Sequence, residues 1–343
     1  MTRKICFACP DIFRIFFGDE FNQPPTFLRV SVARPHSTDP KLFVLALRTG
    51  RLANRLVLFA NFIAFAEEHG HRLVNVTFHS YAHLFETTRR DIYCRYPVAK
   101  RRSVFDLLPG AAAVIRKTRI FYHVTRAAGV MNGRFQFFGS RVTTLLAIEG
   151  REVTLLDDPA IQKTIAAAKI IFTYGWRFRT PDAVKKHAEK IRSFFRPIEA
   201  VEKGSRETMD RVRRQADIVV GVHVRRGDYR GWHEGRFFFE VSRYAAWMRE
   251  LAAQFPGGKV SFFVSSDEPR SRNEFGDLPV EIGLGPPVND LWTLARCDFI
   301  FGPPSTFSQW ASFYGKVPLL HLRGNDDRAE VGKFRVSFFE EIP

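Results

Sequence analysis

Two guanidiniums, an imidazole and a carboxylate arrive together at one point of this chain. The segment VVGVHVRRGDY at 219–229 runs apolar, β-branched residues straight into His223, Arg225, Arg226, Gly227 and Asp228. A buried strand with that ending is built to meet an anion. Guanidinium forks grip phosphate oxygens bidentately, and Gly227 lets the backbone turn close to a ligand. Taken alone, the segment reads equally as a strand end capped by solvated arginine.

Two further segments of the same kind follow. FFVSSDEP at 262–269 is an apolar strand ending in hydroxyls and carboxylates, and FIFGPPSTFS at 299–308 runs a strand into a hydroxyl-rich turn that opens a helix. Helix N-termini carry free N–H groups and partial positive charge, so Ser305, Thr306 and Ser308 stand where a phosphate would dock. Arg225 would neutralise a diphosphate. Asp267 would accept from a guanine's N1–H and N2–H₂ or from a ribose hydroxyl. Each hydroxyl is also a plain helix cap and Asp267 a plain turn former, but three such ends in order favour a ligand. Asp228, His233 and Glu234 lie in the loop after the first segment, each a candidate general base, and sequence does not choose among them. His223, inside the strand end, is better placed to orient a nucleotide.

The elements that must position these residues alternate. An apolar strand at 42–47, the polar turn 48–54, a helix at 52–68 closed by Gly70, and a strand at 73–76 form a strand–turn–helix–strand unit of a parallel sheet. Between 80 and 215 strands are expected at 103–108, 152–156 and 169–174, with helices near 159–168 and 181–215, the last part an exposed helix. From 217 the alternation is clean. Strands are expected at 217–224, 260–264, 280–282, 298–301 and 317–321, and helices at 239–254, 290–296 and 307–314, with Asn289 or Asp290 capping the second. In a parallel sheet the three polar strand ends share one edge and converge on one ligand. Two α/β halves follow, 41–215 and 216–343, behind a poorly ordered extension at 1–40.

With 343 residues, 45% of them hydrophobic and 35 Phe, the chain has material for packed cores and is not a disordered protein. No apolar run approaches the roughly 20 residues of a membrane span. Residues 1–10 make a poor secretory signal, and four Cys are too few for a disulfide framework, so a cytoplasmic setting is expected. Cys6 and Cys9 form a CxxC without a second pair to complete a zinc site. The net charge of +16 suits phosphate-bearing substrates or peripheral contact with an anionic membrane surface. Its basic runs are short and scattered, so no specific nucleic-acid partner is expected. The adjacent Asp pairs at 157–158 and 326–327 end no strand in a metal-binding D-x-D arrangement, and no metal site is expected.

The set of segments resembles the α-1,2-fucosyltransferases of glycosyltransferase family 11. HVRRGDY at 223–229 is similar to that family's H-x-R-R-x-D motif, shared more loosely with α-1,6- and protein O-fucosyltransferases. FFVSSDEP is similar to the second motif, and DLWTLARCDFI at 290–300 with STFSQW at 305–310 to the third. GRFFFE at 235–240 with Tyr244 echoes a tyrosine-bearing segment, and GRLAN at 50–54, carrying Gly50, Arg51 and Asn54, resembles the G-x-L-G-N-Q loop. The likeness covers about 41–322. Ala53, Arg55, Pro303, Pro304 and Gln309 depart from it, at positions expected to shape the acceptor site and the rim of the donor pocket.

The resemblance implies an α/β protein of GT-B type, two Rossmann-like domains facing a cleft, with the donor site in the C-terminal half. The implied reaction is inverting transfer of L-fucose from GDP-β-L-fucose to a hydroxyl of an oligosaccharide or lipid-linked glycan, without cofactor or metal. Arg225 would then stabilise the departing GDP. A transferase of another GDP-sugar, or a non-catalytic basic protein binding a nucleotide or polyanion, stays open at this stage.

Overall fold

A computed structural model describes residues 39–98, 120–135, 141–147, 153–283 and 285–340. The extension up to residue 38, the Cys6–Cys9 pair and the strand expected at 103–108 lie outside them.

The described chain holds eleven strands: β1 (Leu42–Leu45), β2 (Arg72–Val74), β3 (Val142–Leu146), β4 (Thr154–Leu155), β5 (Ile170–Tyr174), β6 (Phe178–Arg179), β7 (Ile218–Val224), β8 (Val260–Ser266), β9 (Val280–Ile282), β10 (Phe299–Gly302) and β11 (Leu319–His321). Its α-helices are α1 (Leu52–His69), α2 (Ile120–Phe135), α3 (Pro159–Ala166), α4 (Pro181–Lys186), α5 (Ala188–Phe194), α6 (Glu199–Arg213), α7 (Val241–Ala252), α8 (Pro287–Leu294) and α9 (Thr306–Gly315). The first sheet runs β2-β1-β5-β3 and the second β11-β10-β7-β8-β9, with β4 and β6 as a separate pair. Every pairing between these strands is parallel.

Parallel strands are covered on both faces, so they read as apolar runs rather than alternations. In β7 Val220, Val222 and Val224 point toward α7 and pack with Phe262, Trp247 and Leu251. Val219 points the other way, into a core that also takes Phe43, Phe59, Trp292 and Trp310. That second core is continuous between the sheets. Phe195 meets Trp310 edge-on at 5.1 Å, and Phe85 lies 5.6 Å from Trp292.

Two expectations need correcting, and two elements went unread. Helix α8 opens at Pro287 behind Pro286, and neither Asn289 nor Asp290 caps it. Proline suits the first turn, and it starts the helix before either polar residue. The end of the 181–215 stretch is amphipathic rather than exposed, with Val201, Ser205, Met209 and Val212 of α6 buried. Helix α2 and strand β3 gave no signal strong enough to read. Gly129 interrupts the helical pattern of α2, yet a Cβ there would sit 2.3 Å from the Tyr174 hydroxyl, so the glycine is what lets α2 lie on β5.

Candidate active site

The chain lays down β7, β8 and β9 in one direction and then returns to place β10 and β11 on the other side of β7. Loops leaving β7 and β10 therefore diverge, and a crevice opens at their carboxyl ends. That reversal is where open α/β sheets bind ligands.

His223 is buried at the end of β7, and its ring lies stacked on Phe307 with centroids 5.0 Å apart. Neither ring nitrogen meets a hydrogen-bond partner in the protein. Burial, with the charges of Arg225 and His321 added, pushes its pKa down to about 3, so the ring is neutral. Gly302 of β10 passes so close that a Cβ there would lie 2.4 Å from the His223 carbonyl oxygen.

Arg225 lies beyond the strand in a bidentate pair with Asp228. Nε donates to Oδ1 at 2.9 Å and Nη2 to Oδ2 at 2.6 Å. Its guanidinium lies 5.0 Å over the Tyr229 ring, and the Tyr229 hydroxyl donates to the carbonyl of Pro304. Burial opposes the charge, but the Asp228 pair outweighs it and holds the pKa above the usual arginine value. Tyr229 thus ties the loop carrying Arg225 to the loop that opens α9.

Arg226 goes elsewhere. It bridges Glu240 at 3.0 Å and lies 4.5 Å over Phe238. Asp267 is also engaged: its two oxygens accept from the backbone N–H groups of Arg226 at 2.9 Å and Gly227 at 3.2 Å. Gly227 has φ −50°, and a Cβ on it would lie 3.0 Å from Asp267 Oδ2. The glycine makes room for that carboxylate rather than for an unusual turn.

Ser305 caps α9, its hydroxyl accepting from the Phe307 N–H at 3.2 Å. Ser308 donates to the Ser305 carbonyl at 3.0 Å and lies 3.2 Å from His321 Nε2. Thr306 Oγ1 donates to Asn54 Oδ1 at 2.5 Å. This last bond joins the carboxyl edges of both sheets, because Asn54 follows β1. Gly50, in the turn before it, has φ +57°, and Arg51 is exposed at the start of α1. Arg55 is buried beneath this turn and donates to the carbonyls of Thr49, Gly50 and Thr77 and to Ser80 Oγ.

His233 and Glu234 are exposed, and both have left-handed backbones, φ 47° and 57°, ahead of Gly235 at 78°. Consecutive non-glycine residues in that region carry strain that the surroundings must hold. Trp232 holds it here, its ring 4.6 Å from Tyr229, 4.4 Å from His233 and 5.5 Å from Phe237.

That the three strand ends share one sheet edge was legible, but Asp290 was passed over as a cap. It is buried on α8, 3.2 Å from Ser265 Oγ, and Ser265 pairs in register with His223. Burial raises its pKa to about 7, against the lowering effect of the Ser265 bond. An acid inside the apolar run DLWTL was the available signal.

Two parallel sheets with a crevice at the reversal of strand order are an α/β architecture of GT-B type. No protein-family model matches the chain, and no curated protein matches it. Among solved structures it is similar to a mutant of Arabidopsis thaliana FUT1 in complex with GDP, at 12% identity and TM-score 0.51, covering 87% of this chain and 74% of that one. It is also similar to the Bradyrhizobium fucosyltransferase NodZ, at 16% identity and TM-score 0.48, covering 85% and 97%. At 12% identity the likeness to FUT1 is one of fold.

Proposed function

We propose that the protein is an inverting glycosyltransferase that moves L-fucose from GDP-β-L-fucose to a glycan hydroxyl in α-1,2 linkage. The acceptor is an oligosaccharide or a lipid-linked glycan, met at an anionic membrane surface that the +16 charge favours. The observation that carries the reading is Arg225, held by Asp228 at the strand-order reversal beside the N-terminus of α9. FUT1, whose fold the chain shares, was solved with GDP. The choice of fucose and of the linkage rests on the sequence resemblance.

In this reading the diphosphate lies between Arg225 and the first turn of α9, where backbone N–H groups and a fixed guanidinium oppose the charge that grows on GDP. Ser305 and Ser308, already bonded within the helix, hold that turn rather than the phosphate. The guanine lies near His223 and Phe307. Because Asp267 is committed to backbone amides, Asp290 replaces it as the acceptor for the base's N–H groups. The acceptor hydroxyl attacks the sugar's anomeric carbon as the bond to GDP breaks, and its proton passes to a base. Asp228 is bound to Arg225, which leaves His233 and Glu234 on the strained turn for that task. No step calls on a metal.

Thermal-shift titration tests binding first: GDP should raise the melting temperature and an oligonucleotide of equal charge should not. Transfer is then assayed with a panel of GDP-sugars in excess EDTA. Turnover of GDP-fucose above other GDP-sugars, with most of the rate kept in EDTA, is the expected result. Loss of activity rescued by magnesium or manganese would contradict it, as would stabilisation by the oligonucleotide alone.

A further inference from the structure

The first sheet brings further loops to the same edge. β1 lies between β2 and β5, with β3 outside β5. The loops leaving the parallel neighbours β1 and β5 emerge side by side, on the edge where Asn54 reaches Thr306. The loop leaving β5 turns at Gly175, φ +113°, and carries Trp176 and Arg177 into the short strand β6, which ends on Arg179.

Arg179 is 1% exposed. Its Nη1 donates to the carbonyls of Trp176 at 2.8 Å and Phe178 at 2.9 Å, whereas Nε and Nη2 meet no acceptor. Those two nitrogens form the side-on fork, the same face with which Arg225 holds Asp228. No carboxylate among the described residues answers it: the nearby Asp157 accepts from the Thr180 hydroxyl at 2.5 Å. Burial, together with the charge of Arg177, lowers the Arg179 pKa to about 10. A buried guanidinium with an unmatched fork is costly, and an oxyanion with two oxygens is the group that fits it. The half-buried Trp176 ring lies 5.5 Å from the Arg179 guanidinium and 5.4 Å from that of Arg177. It covers both cations and presents an aromatic face.

We propose that the 175–179 turn is an acceptor subsite for an acidic sugar, its oxyanion taken by the Nε–Nη2 fork of Arg179 and its ring stacked on Trp176. A swing of the Trp176 indole opens the fork to the ligand. The acceptor is then a glycan bearing a carboxylate or a phosphate, and this deepens the transferase reading, on which it rests.

The test titrates the full chain, with and without saturating GDP, with p-nitrophenyl β-glucuronide, p-nitrophenyl β-glucoside and the 6-phosphate of that glucoside, followed by ligand-observed NMR. A bidentate charged contact predicts at least a ~10-fold preference for one charged member over the neutral one, and the two charged arms tell carboxylate from phosphate. Arg179→Met should erase the preference, and Arg179→Lys should lose most of it because the fork is gone. Arg179→Met should melt within a few degrees of wild type, since removing an unmatched buried charge offsets the loss of its two bonds to the carbonyls of Trp176 and Phe178. Equal binding of all three ligands by the wild type would overturn the proposal without needing any variant. So would a retained preference in Arg179→Met, or a fall of many degrees in its melting temperature. If the wild type ignores GDP yet keeps the preference, the transferase reading fails and the anion subsite stands.

Discussion

Arg225 reaches the crevice already paired, and its partner is exposed while it is not. An incoming diphosphate can share or replace Asp228 with little rearrangement, because the carboxylate has held the guanidinium plane in place. Arg225→Ala should lower transfer on the order of 10²–10³-fold and weaken GDP binding. Arg225→Lys should remain badly impaired, since a point charge cannot reproduce the fork. Isothermal titration with GDP beside turnover, and circular dichroism to check the fold, measures both. Wild-type affinity and rate in the alanine variant would remove Arg225 from the donor site.

At the scale of elements, helix α1 depends on Arg55. One buried side chain ties the 49–51 turn to the 77–80 segment through four acceptors and lies 5.0 Å over Tyr81. Arg55→Gln is too short to span them, so we expect a loss of about 2–3 kcal/mol, read in urea unfolding, with GDP affinity kept. This anchor was invisible in the sequence, where Arg55 stood out only as a departure from a family pattern. The reason is general to the molecule. β7, β8 and β10 announced themselves because buried parallel strands are runs of apolar residues, and their polar ends followed from the alternation. What Arg226, Asp267 and Asp290 do depends on partners 14 to 41 residues away, and no local spacing encodes such pairings. The same holds for α2, whose glycine is explained only by the tyrosine it faces.

For the whole molecule, three buried titrating groups pull stability in opposite directions with pH. His223 and His71 have pKa values lowered from 6.5 to about 3 and about 4 by burial. The unfolded chain takes up their protons first, so their contribution is complete above about pH 6.5 and is lost as pH falls toward 3. Asp290 works in reverse: raised from 3.8 to about 7, its contribution is complete below about pH 3.8 and is lost progressively as pH rises to 7. Asp290→Asn removes the buried charge while keeping the shape. Thermal unfolding at pH 8 should show the variant more stable than wild type, by on the order of 3 kcal/mol. At pH 4 the two should differ little. A stability gain of the same size at both values would mean that Asp290 does not titrate as described.

The pairing of β1 also sets an order on synthesis. Its partner β2 follows after a single helix, but the strand on its other side, β5, lies more than a hundred residues further along. Until that strand emerges, the second edge of β1 is an open template of backbone donors and acceptors. β7 and β8, by contrast, are joined through the 225–240 loop and the single helix α7, a far shorter connection. Closing long loops is slow. The first sheet therefore keeps an open edge through more than a hundred residues of synthesis, and that is a stretch over which a cell must shelter it.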